Sequence, residues 1–143
     1  MLVQFRRVPE AWPSTVEGKR PPSPAGIKLL TSNHEAIDWN PRSPDERLSM
    51  LSQIQVELRD AERCDEVLKG VDSVGRGVAS DFQFFGNAWD LAVDATGVEF
   101  TYSVMEGEPG GRVSLETYRT AVRAWSDFLA DDSCPERLCQ LPD

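Results

Sequence analysis

The apolar positions between Phe82 and Leu129 change period once. Trp89, Leu91 and Val93 alternate with small or polar neighbours, and beyond Asp94-Ala95-Thr96-Gly97 so do Val98, Phe100, Tyr102 and Val104. Alternation on both sides of a turn-forming tetrapeptide predicts an antiparallel meander with one buried face. Phe82, Phe84 and Phe85 supply its first strand, and Gly86-Asn87 the turn that follows. From Leu115 the apolar residues fall instead at Tyr118, Val122, Trp125, Phe128 and Leu129, one stripe of a helix that Ser114 would cap, with Glu116 in its first turn. A half-apolar sheet and an amphipathic helix can cover one another. The expected fold class is therefore α+β, an antiparallel β-meander over 81–105 packed against two main helices, of which 114–130 is one.

The other main helix is expected over 43–70. Ser43-Pro44-Asp45-Glu46 offers a cap, a proline at the first helical position and a capping-box acid. Leu48, Leu51, Ile54, Leu58, Ala61 and Leu68 then share a helical stripe, giving about seven turns that end near Gly70. The opposite, solvated face would carry Arg47, Glu57, Asp60, Glu62, Arg63, Asp65 and Glu66. Val71 to Ser80 reads as a connector, and its glycines lack the GK[ST] ending of a phosphate loop. Residues 1–40 form an irregular proline-rich region. Val3 and Phe5 suggest one short strand and Ile27 to Leu30 another, with Pro9, Pro13, Pro21, Pro22 and Pro24 breaking up the chain between them. Glu106 to Gly111 is expected as a loop carrying two carboxylates, and 131–143 as an acidic tail with at most a short turn after Pro135.

A chain of 143 residues can bury one core without staples, so a single domain is expected. No apolar run approaches the roughly 18 to 20 residues that span a bilayer, and the basic pair Arg6-Arg7 follows a short apolar stretch, the reverse of a secretory signal. Three cysteines cannot all pair within one chain. These features together point to a reducing, cytoplasmic compartment. Net charge is −9, and it is uneven: residues 1–40 hold five Lys/Arg and four Asp/Glu, whereas 41–143 hold ten and twenty. Such a body repels phosphate backbones and attracts basic surfaces, so a basic protein is the expected partner rather than nucleic acid or a membrane.

Candidate chemistry is sparse. The sole histidine, His34, lies beside Glu35 and near Asp38, with no serine or cysteine nucleophile in a recognisable context. Cys134 and Cys139 would need two further ligands to hold zinc, and Cys64 is far along the chain. No catalytic residue, metal site or cofactor is assigned, and the expectation is a binding protein rather than an enzyme. By alternation, Asp90, Ala92, Asp94, Glu99, Thr101 and Ser103 occupy the outward strand face, close to the Glu106 and Glu108 loop.

The order of a capped helix, a W-x-L-x-V strand followed by V-x-F-x-Y, a short acidic loop and a helix ending A-W-x-x-F-L resembles that of small bacterial immunity proteins. These accompany contact-dependent growth inhibition systems and other polymorphic toxins. The resemblance is carried by Trp89, Leu91, Val93, Val98, Phe100, Tyr102, Leu115, Tyr118, Trp125, Phe128 and Leu129. It implies a cytoplasmic protein, monomeric when free, that binds one cognate toxin domain and blocks it by stoichiometric inhibition. Many such toxins are basic nucleases, towards which the negative body would steer. The expected toxin-binding residues are Asp90, Asp94, Glu99, Glu106 and Glu108. The alternative is an acidic chaperone of the type III secretion kind, holding an effector segment along apolar patches.

Overall fold

The change of period becomes a change from sheet to helix in the computed structural model, which describes residues 1–7, 25–37, 45–103, 108–131 and 133–142. In chain order the elements are β1 (Leu2–Arg7), β2 (Ala25–Leu30), β3 (Ala36–Ile37), α1 (Glu46–Glu57), α2 (Ala61–Gly75), β4 (Asp81–Phe85), β5 (Trp89–Asp94), β6 (Gly97–Tyr102), β7 (Glu108–Val113), α3 (Leu115–Ala130) and β8 (Glu136–Gln140). The fold is α+β, with two four-stranded antiparallel sheets in the orders β3-β2-β1-β8 and β4-β5-β6-β7. The expected prolines of the N-terminal region, together with Asp38, Trp39, Ser43 and Pro44, lie outside the described residues.

The meander buries one row of side chains, as its alternation requires. Trp89, Leu91 and Val93 of β5 and Val98 and Phe100 of β6 are all buried. Against this row and against each other pack the helices, α3 through Tyr118, Ala121, Val122, Trp125 and Phe128. Phe5 of β1 meets Trp125 edge-on at 5.5 Å between ring centroids and Phe128 at 5.6 Å, so α3 is shared between the two sheets. Each such ring contributes about 1.5–3 kcal/mol through burial. The Ser114 cap forms as expected, its side chain accepting from the Thr117 amide at 3.1 Å.

The 43–70 helix is two helices. Glu57 ends α1, and Leu58, fully buried, donates its amide to the Ile54 carbonyl at 3.0 Å. The Leu58 carbonyl accepts from Trp125 Nε1 at 2.7 Å, so a core indole takes the bond that continued helix would have supplied. Asp60 then starts α2 by accepting from the Arg63 amide at 2.8 Å. The buried stripe of α2 is Cys64, Val67, Val71 and Val74, while Ala61 is exposed. Residues 71–75, expected as connector, are therefore helix. Gly70 does not end the helix but lets it approach the sheet: a Cβ there would lie 2.4 Å from the Phe82 ring. The cap of α1 is Asp45, which accepts from the Arg47 amide at 2.9 Å.

Two further segments depart from expectation. Residues 108–113 form β7, a fourth meander strand paired with β6 through a bulge at Phe100/Thr101, not the end of a loop. The expected tail contains β8, which pairs with β1 from Leu2↔Gln140 to Arg6↔Glu136. Arg7 fastens this sheet to the end of α3. Its Nη2 donates to the carbonyls of Phe128 (2.7 Å), Leu129 (3.2 Å) and Asp131 (3.0 Å), a cation against the negative end of the helix.

Candidate protein-binding face

Cross-strand pairing sorts the meander into two faces. Asp81, Gln83 and Phe85 of β4 stand opposite Asp94, Ala92 and Asp90 of β5, and Glu99 and Thr101 of β6 stand opposite Ala92 and Asp90. These positions, with Arg112 opposite Glu99, form the outward row. Asp90, Asp94 and Glu99 thus share one face, as the alternation predicts. Glu106 lies outside the described residues, and Glu108 opens β7 opposite Tyr102. Among the described residues, the outward row carries four carboxylates, Asp81, Asp90, Asp94 and Glu99, against one guanidinium, Arg112.

The carboxylates are not equivalent. Asp94 is committed to its own turn: Oδ1 accepts from the Thr96 amide at 2.8 Å and the Thr96 hydroxyl at 2.5 Å, and Oδ2 lies 3.1 Å from Arg112 Nη2. The Thr96 hydroxyl and amide, and then Arg112, hold its carboxyl below the usual carboxylate range. Glu99 is exposed and Asp90 half-buried between Phe85 and Thr101. Phe85 is 73% exposed, the one large apolar side chain among the described residues of this row.

Below the face lies a carboxylate that helical periodicity assigned to solvent. Glu57 is buried, its Oε2 accepting from the Asn87 amide at 2.8 Å and its Oε1 from the Ala88 amide at 2.9 Å. An anion on the last residue of a helix is badly placed for the helix dipole, and no basic residue in that turn offsets it. The β4–β5 turn supplies the two donors that make the position tenable. Gly86 is required by the same contact, since a Cβ there would lie 2.1 Å from Glu57 Oε2. Trp89 Nε1 donates to Ser52 Oγ at 3.1 Å, a second tie between α1 and this hairpin.

Phe85, Asp81 and Glu57 join the expected carboxylates as features of the face. The first two alternate with Phe82 and Phe84 and were legible from that; Glu57 carried no local signal, because its partners arrive thirty and thirty-one residues later. Arg112 carries no strand signal, because the glycines before it dilute the alternation of β7.

The remaining candidate groups are dispersed. His34 is exposed in a turn with φ of 64°. Cys64 is buried, which pushes its thiol up to about 11. Cys134 and Cys139 are half-buried on the other sheet's side, where burial also raises Cys139. A hollow of ≈ 460 Å³ between the end of α2 and the start of α3 holds Arg119, which bridges Asp72 at 3.4 Å and Glu116 at 2.7 Å. Arg76 also lines it, its Nε donating to the Asp72 carbonyl at 3.4 Å, and no histidine or cysteine lines it. Among the described residues no helix is long and apolar enough to cross a membrane. No family model, curated protein or solved structure matches the chain.

Proposed function

We propose that this chain is an immunity protein: it binds one cognate toxin domain, a basic nuclease being the best electrostatic match, and neutralises it stoichiometrically in the cytoplasm. The observation that carries this reading is the outward row of the meander, where among the described residues four carboxylates stand against one arginine, on a chain whose net charge is −9. A face of that sign accelerates encounter with a basic surface and repels nucleic acid. The residues behind the immunity-protein resemblance are mainly core, among them Trp89, Leu91, Val93, Phe100, Tyr118 and Trp125. The resemblance therefore supports the fold of the reading, and the outward row its chemistry. The chaperone alternative gains nothing from the surface: the exposed large hydrophobics among the described residues, Val78, Phe85 and Leu138, sit on a loop, β4 and β8 and make no stripe.

The test is to read the adjacent frame and, where it encodes a large secreted protein, to co-express the C-terminal domain of that protein with this chain; an adjacent frame of any other kind counts against the reading. The expected result is restored growth and a one-to-one complex, with Asp90→Asn plus Glu99→Gln slowing association several-fold at low salt. Full toxicity in the presence of the intact chain would remove the reading.

A further inference from the structure

The β4–β5 hairpin combines two properties: its turn is fixed from below, and its last β4 side chain is left in solvent. Glu57 holds the Asn87 and Ala88 amides, Gly86 admits no side chain, and Trp89 is tied to Ser52. Phe85, directly before that clamped turn, is nevertheless 73% exposed, with Asp90 as its cross-strand neighbour. Packing against the domain therefore does not explain the ring, and the buried carboxylate fixes the backbone that presents it. Rigid presentation of an aromatic lowers the ordering cost of binding, and such rings recur at the energetic centre of interfaces.

Resting on the immunity reading above, we infer that Phe85 is the anchor of the interface: it enters an apolar recess on the toxin domain, and the basic rim of that recess faces Asp90 and Glu99. The occupant is a basic protein surface, because Asp90 stands directly across from the ring, the described residues of the outward row carry four carboxylates, and the one guanidinium among them, Arg112, is already paired with Asp94. Glu57 is a positioning residue, acting through the turn. Asp94 serves its own turn rather than the contact.

Calorimetric titration of the full chain tests this, the titrant being the purified toxin domain that co-expression shows this chain to neutralise. Phe85→Ala should weaken binding by about 30-fold or more, leave the melting temperature of the free chain unchanged, and lose affinity by the same factor at about 50 mM and about 300 mM salt. Asp90→Asn should weaken binding mainly at the lower salt. If the intact chain binds and Phe85→Ala binds within about threefold of it, the anchor is elsewhere and this inference fails while the immunity reading stands. If the intact chain does not bind that domain, both fail together.

Discussion

At the scale of single residues, the least expected group is Glu57, a carboxylate buried at the end of a helix to hold a turn in another element. Its two hydrogen bonds are to backbone amides of the turn, so truncation would remove both bonds and open space beneath the hairpin. Glu57→Ala should cost about 1–3 kcal/mol in denaturant unfolding. Amide exchange should accelerate selectively at Asn87 and Ala88, which a general loss of packing would not produce. Helical periodicity alone places this side chain in solvent, because a helical wheel sees only its own helix. Cys64 illustrates the reverse case. Its burial keeps the thiol protonated at pH 8, well below the raised value of about 11, so a thiol reagent at that pH should label it only when the protein unfolds. Prompt labelling of all three cysteines in the native protein would contradict this placement.

At the scale of elements, what was legible is what periodicity encodes. The meander and α3 follow from alternation and from one unbroken stripe, because in each a continuous buried face selects every second, or every third and fourth, residue. The break at Leu58 was invisible for the same reason: Leu51, Ile54 and Leu58 keep to one stripe up to the break and all reach the core, so the apolar pattern gives no sign of it. Only Asp60, a capping residue, marked the new start. Strands β7 and β8 were missed because glycines and charges dilute their alternation, and the partner of β8 lies at the other end of the chain. Gly70 tests whether α2 is placed as described. In an exposed helix Gly→Ala stabilises by about 1 kcal/mol. Here the added methyl meets the Phe82 ring, and Gly70→Ala should destabilise by about 1–3 kcal/mol. In a Phe82→Ala background the same substitution should become stabilising, as read from denaturant midpoints.

At the scale of the whole molecule, two electrostatic effects oppose each other as pH falls, and their ranges decide the outcome. Protonating surface carboxylates first relieves the self-repulsion of a chain with net charge −9. Three aspartates work the other way, because hydrogen bonds in the folded state keep them below the usual range: Asp45 through Arg47, Asp94 through Thr96 and then Arg112, Asp131 through Ser133 and then Arg137. A depressed folded value means that the stability these groups contribute is complete above the unfolded value, about 3.9. It is lost as pH falls through the lower folded value. Relief of repulsion acts mainly above that point and loss of the aspartate interactions below it. Urea midpoints should therefore stay level or rise slightly from pH 7 to about pH 5 and fall below about pH 4. Asp94→Asn separates the two effects, since it removes one depressed carboxylate and one unit of net charge. The variant should be less stable than the parent at neutral pH, and the two should converge in acid, where Asp94 is protonated in both folded and unfolded chains. Parallel curves down to pH 3 would mean that Asp94 contributes by shape alone and that its pairing with Arg112 has no share in the stability of the meander.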